Sequence, residues 1–193
     1  MKSDVQLHWD YFLLLEKDLI AIADTIELSE KNYTTYGPRI LQLILSTGSE
    51  LDVALQSFAK AIAPSSSAAT CKRPNMADYK KVIASHSIDQ FTTAKVRFLR
   101  SEISIVPWAP LAGNPNESLS WWDSYNQVKH HRAEHYESAN LKVALFLIAA
   151  LFVTDAYLSE ARSDPYTGST QIIDWEGATH MYMPQLETYY AAK

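Results

Sequence analysis

Ser120-Trp121-Trp122-Asp123-Ser124-Tyr125-Asn126-Gln127-Val128-Lys129-His130-His131-Arg132 is the stretch on which the reading of this chain turns. Two adjacent tryptophans lead into a row rich in basic side chains, and the most apolar run of the protein, Val143 to Val153, follows soon after. Ser120 and Asp123 form the Ser-x-x-Asp signal of a helix start. A long final helix is therefore expected from Ser120 or a turn earlier, continuing through the apolar run. At roughly 100° per residue, the apolar face of Ala144, Leu147, Ile148, Leu151 and Phe152 projects back onto Trp122, Asn126, Lys129, His130, Ala133, Glu137 and Asn140. That projection assumes one unbroken helix, and a bend near Ser138-Ala139-Asn140 would rotate its halves. It predicts an inward polar row needing partners, because an unpaired buried amide or charge is costly. Acids such as Glu16, Glu27, Glu50 or Asp155, a ligand phosphate, a groove or a partner subunit are the candidates to meet it.

Working outward, the 193 residues are 47% hydrophobic, enough for one domain with a sizeable core. One domain over 1–193 is expected. Val5, Trp9, Phe12, Leu19, Ala23 and Ile26 mark an amphipathic helix from Val5 to Leu28, with Glu16 and Glu27 at the edges of its stripe. Gly37-Pro38 opens a second helix running to about Ala63, Pro38 standing where its missing N–H costs little. Its face is Ile40, Ile44, Leu51, Leu55, Phe58 and Ile62, and Gly48 on that face predicts a close helix crossing or a bend. Residues 64–70 read as a loop. Asn75 and Asp78 signal the start of a short helix with Tyr79, Val82, Ile83 and His86 inward. Over 91–117 the helical period is lost. Lys95 to Leu99 and Glu102 to Val106 look extended, as a small hairpin or paired arms, and the turn-rich Gly113-Asn114-Pro115-Asn116 leads to the central helix. The tail over 162–193, with Asp174-Trp175-Glu176 and Tyr189-Tyr190, is expected to dock on the helical body or on a partner.

The formal net charge of −5 excludes a surface that is basic throughout, so a nucleic-acid partner would have to be met locally, at Lys129 to Arg132 or at the shorter Lys72-Arg73 pair. Five glycines with no phosphate-loop pattern argue against that nucleotide chemistry. A single cysteine, Cys71, makes no intramolecular disulfide, and a reducing, cytoplasmic location is expected. No membrane association is expected either, since the apolar run is shorter than a span of ~20 residues. His131 and His135 stand four apart with Glu134 between them, but on the face opposite the core and in an order that lacks the His-Glu-x-x-His base. No metal or cofactor site is expected.

Tyr125-Asn126-Gln127-Val128-Lys129-His130 with Arg132 resembles the HEPN-like helical superfamily. The resemblance covers the helical body and implies an all-α, antiparallel four-helix-bundle-like fold, here with a small extended or β-hairpin insert before the last long helix. It further implies a metal-independent endoribonuclease or RNA-binding protein, often dimeric, of the kind found in defence and toxin–antitoxin systems. The family motif is an arginine, a polar residue next, and a histidine four to six residues beyond the arginine. Asn126 and His130 match the polar residue and the histidine, and Tyr125 stands where the arginine belongs. On this resemblance His130, Asn126 and Lys129 are the candidate catalytic residues. Arg132, Tyr125, Trp122 and Trp121 are the candidate substrate contacts, with Glu50 and Glu16 as supporting acids. Lys129 or Arg132 would supply the positive charge that tyrosine lacks. The competing class is a noncatalytic helical interaction module that forms a homodimer or binds a protein partner through Trp121 or Trp122.

Overall fold

A computed structural model describes residues 2–86 and 90–175. The protein is mainly helical with a small sheet. The α-helices are α1 (Asp4–Ala23), α2 (Pro38–Ile62), α3 (Ser67–Thr70), α4 (Met76–Ser85), α5 (Ser120–His130), α6 (Arg132–His135) and α7 (Leu141–Arg162). The strands are β1 (Val96–Phe98), β2 (Ser104–Ile105) and β3 (Ile173–Trp175). They form an antiparallel sheet in the order β2-β1-β3, so the helical body is not purely α. Residues 91–117 supply two of the strands, and the third comes from the other end of the chain, which sequence-local patterns cannot pair.

The core is a packed set of α1, α2 and α7, with α5 laid against α2 and α7. The starts of α2 and α7 are tied together, since Tyr36 and Asn140 form a bridge and Leu141 N–H donates to Thr35 O at 2.8 Å. α7 is long and apolar enough to cross a membrane by length and composition alone, yet 89% of its most apolar window is buried inside the protein. Burial on all sides removes any need for amphipathic patterning in a central helix. Its neighbour α1 keeps its stripe, with Val5, Trp9, Phe12, Leu15, Leu19 and Ile22 buried.

Local signals set several boundaries. Ser3 caps α1 by accepting from Gln6 N–H, and Asn75 and Asp78 form a reciprocal capping box at α4. Tyr79, Val82 and Ile83 are buried there as expected, but His86 is exposed, because α4 ends at Ser85 and His86 is its C-cap. The loop expected over 64–70 contains the short helix α3, started by Ser66 accepting from Ala69 N–H.

The unbroken central helix is corrected. α5 ends at His130, His131 adopts φ −134° and ψ 47°, and α6 is followed by a 3-10 turn at Tyr136–Ser138 before Asn140 caps α7. The inward face of α5 is consequently Trp121, Trp122, Tyr125 and Val128, while Lys129 and His130 are exposed. The backward projection fails because the two halves do not share one helical phase.

Beyond α7 the chain doubles back along α1 as a strap. Tyr166 stacks on Trp9 with centroids 3.7 Å apart, Thr167 N–H donates to Gln6 Oε1 at 2.8 Å, and Trp9 Nε1–H donates to Gly168 O at 3.0 Å. Glu16 Oε1 then accepts from the backbone N–H groups of Gln171, Ile172 and Ile173 at 2.8, 2.9 and 3.1 Å. Asp174 pairs with Arg97, and Trp175 packs on Phe152. The expectations for Glu176, Tyr189 and Tyr190 lie outside the described residues.

Candidate functional site

Two places carry chemistry, and the first is the turn between α5 and α6. The helix break leaves Lys129, His130, His131 and Arg132 exposed one after another. In a continuous helix four successive residues would spread around the axis. Here the helix breaks at His131, and all four are exposed around the break. Asn126 is half-buried one turn before His130. His131 and His135 have ring centroids 6.4 Å apart. Among the described residues no group of three or more His, Cys, Asp or Glu side chains is placed to hold a metal.

The aromatic lead-in supports this turn from beneath. Trp121 donates its Nε1–H to Pro107 O at 3.0 Å and meets Trp108 edge-on, while the Trp122 ring tilts against Tyr125. Tyr125 is 1% exposed and lies against Gly48, so closely that a Cβ on that glycine would overlap its ring. Trp121, Trp122 and Tyr125 all bury their rings in the chain's own core. Lys129 Nζ stands 5.2 Å from the Tyr125 ring centroid, a cation–π distance that ties the exposed turn to the core.

The second place is a buried polar cluster. His8 Nδ1 is 2.6 Å from Glu50 Oε1, and Nε2 is 3.2 Å from Ser57 Oγ and 3.5 Å from Asp4 Oδ1. The short Nδ1 contact to a carboxylate makes Nδ1–H the donor. Asp155 of α7 is 2% exposed, and neither of its oxygens has a hydrogen-bond partner among the described residues. Burial pulls the His8 imidazole down, but the hydrogen bond to Glu50 and the charges of Asp155, Glu50 and Asp4 outweigh it and leave His8 above its ordinary 6.5. Burial pushes the Asp155 carboxyl well above 3.8, His8 drawing it part of the way back and Glu50 adding to the rise.

Ser57, His8 and Glu50 follow the hydrogen-bond order of a nucleophile, a base and an orienting acid. Ser57, however, sits in the interior of α2, where its backbone N–H is used by the helix and offers nothing to an oxyanion. The carboxylates around His8 hold its imidazole above the ordinary 6.5, and the geometry is that of a buried polar cluster rather than an acyl-transfer site.

The two supporting acids do not meet at the α5–α6 turn. Glu50 belongs to the His8 cluster, and Glu16 anchors the strap. His8 and Ser57 escaped the sequence reading although His8 carried a signal. It falls on the buried stripe Val5, His8, Phe12, Leu15, Leu19, at alternating spacings of three and four, and a polar residue there must have a partner. Asp155, an acid buried within the apolar α7, carried the matching signal.

No protein-family model, no curated protein and no solved structure matches this chain. The class defined by the fold and its sites is thus a mainly helical protein with an exposed basic turn on one helix junction and a buried polar cluster of His8, Glu50, Ser57 and Asp155 among three core helices.

Proposed function

We propose that the protein binds RNA at the α5–α6 turn and cleaves it without a metal, as a HEPN-like protein with a displaced cation. The observation that carries this reading is the run of exposed basic and imidazole side chains Lys129, His130, His131 and Arg132 at the helix break. Phosphate binding needs cations met locally when the net charge is −5, and the run Lys129 to Arg132 is exposed at this turn. With Tyr125 in the core, Lys129 and Arg132 are the groups available to stabilise phosphate charge, Arg132 through a planar fork suited to phosphate oxygens. His130 takes the proton of a ribose 2′-hydroxyl as the 2′-oxygen attacks the adjacent phosphorus. The bond to the 5′-oxygen breaks and that oxygen takes a proton from water while His130 returns its own to the solvent, leaving a 2′,3′-cyclic phosphate and a 5′-hydroxyl. Asn126, one turn earlier, orients His130 or a phosphate oxygen.

The test is incubation of the purified chain with a mixed structured-RNA pool in the presence of a chelator. Cleavage is expected, with His130→Ala reducing it by about 10²-fold or more while far-UV circular dichroism stays unchanged. Equal behaviour of variant and parent, or no RNA binding at low salt, sinks the proposal. A noncatalytic homodimer is the second reading, and it draws on a feature other than the tryptophans. Leu7, Tyr11 and Leu14 form an exposed stripe along α1, at the spacing of a helix–helix seam. Solution mass before and after Leu14→Glu decides it, and an unchanged monomer removes it.

A further inference from the structure

The buried cluster of His8, Glu50, Ser57 and Asp155 plays no part in RNA chemistry at the α5–α6 turn, yet it joins three core helices. α1 contributes Asp4 and His8, α2 contributes Glu50 and Ser57, and α7 contributes Asp155. Over them lies the strap residue Tyr166, stacked on Trp9 and raised in pKa by burial and by the Asp155 charge. Of these groups only His8 can carry a positive charge. When His8 is an imidazolium, Glu50 a carboxylate and Asp155 an uncharged acid, the buried trio His8, Glu50 and Asp155 is neutral. Each proton removed from that state leaves net negative charge between helices, and Asp155 has no hydrogen-bond donor among the described residues to stabilise it.

We infer that His8, Glu50 and Asp155 form a proton-operated latch that holds α1, and with it the C-terminal strap, onto α2 and α7. The latch reaches the strap because α1 carries the anchors that lead up to β3: Gln6 for Thr167, Trp9 for Tyr166 and Gly168, and Glu16 for Gln171 to Ile173. β3 follows directly from that last anchor and pairs with β1. Loosening α1 therefore loosens the strap and uncovers the edge of β1.

The sign follows from the direction of both groups. His8 binds its proton more tightly in the folded protein, so its contribution is complete below 6.5 and is lost as the pH rises through its raised folded value. Asp155 is also raised, so its contribution is complete below 3.8 and is lost as the pH rises from there through its raised folded value. Both effects weaken the latch in the same direction, toward higher pH, the Asp155 window opening first and the His8 window above 6.5.

Hydrogen exchange on the full chain, corrected for intrinsic rates, tests this at about pH 6 and about pH 8.5. α5 serves as the internal reference. Protection of α1 and of residues 171–173 is expected to fall at the higher pH relative to α5, which changes little. Asp155→Asn, which keeps the shape and cannot ionise, is expected to reduce the difference, and His8→Gln provides the same comparison from the other helix. Equal α1 protection at both pH values overturns the latch. So does an equal loss in α1 and α5, or full pH sensitivity in either variant.

Discussion

Gly48 has no Cβ, and Tyr125 occupies the space that one would fill. A methyl group there would lie less than 3.0 Å from three carbons of the phenol ring, inside any tolerable contact. The ring is buried between α5 and α2, so relief requires the helices to separate. Gly48→Ala is expected to destabilise the protein by about 1–3 kcal/mol, the usual cost of overpacking a filled core, despite the gain in helix propensity from alanine. Chemical denaturation measures it, and a second substitution, Tyr125→Leu, is expected to recover part of the loss in Gly48→Ala by vacating the ring. The close crossing was legible from a glycine on an apolar helical face. The identity of its partner was not, because a match to a motif position places Tyr125 at a site, whereas the phase of its own short helix places it in the core. The His8 cluster shows the complementary limit. Its members come from positions 4, 8, 50, 57 and 155, and a polar residue on an apolar stripe announces that it needs a partner without saying which.

Elements were easier to place where their signals are local. The capping box at Asn75 and Asp78, the proline start of α2 and the extended arms at Val96–Phe98 and Ser104–Ile105 all depend on neighbours in sequence. The break after His130 depends instead on how two helices dock. Asn140, whose side chain accepts from Val143 N–H, is a local sign that a new helix begins at Leu141, and the stretch from Ser138 to Asn140 is where α7 takes up its own phase. The strap was illegible for a different reason: its fixing point, Glu16, lies about 155 residues away in sequence from Gln171. One carboxylate oxygen holding three successive backbone N–H groups is a compact anion nest. Glu16→Ala leaves those donors buried without an acceptor, at a cost of about 1–3 kcal/mol or more. The expected consequence is faster proteolytic cleavage within 163–172 while the helix content is retained. Cleavage no faster than in the parent, with the same fragments, would show that the nest does not hold the strap. At the α5–α6 turn, removing Lys129 and Arg132 together should weaken RNA binding and lower the dependence of log affinity on log salt by about 0.7 per cation lost. A salt slope unchanged by the double substitution would locate the phosphate contacts elsewhere.

At the scale of the molecule, the same proton balance shapes the stability curve from both sides. On the acid side, Asp78 is held below 3.8 by the Asn75 backbone N–H and the Ser67 hydroxyl, and Asp10 by Lys2 and Gln6. Depressed carboxyls contribute above their unfolded values and lose that contribution as the pH falls through their folded ones. Both side chains are solvated, so this limb is shallow. On the alkaline side, His8 and Asp155 are both raised, and their burial makes that limb the steeper one. Maximum stability is therefore expected at mildly acidic pH, with the unfolding temperature falling between about pH 6 and pH 8.5, a direction that increasing distance from the sequence pI of about 5.6 also favours. Asp155→Asn separates the causes. It removes the ionisation while leaving net-charge repulsion almost the same, so a flattened alkaline limb assigns the slope to the buried cluster. An alkaline limb as steep as the parent's would assign it to the growing negative charge of the whole surface.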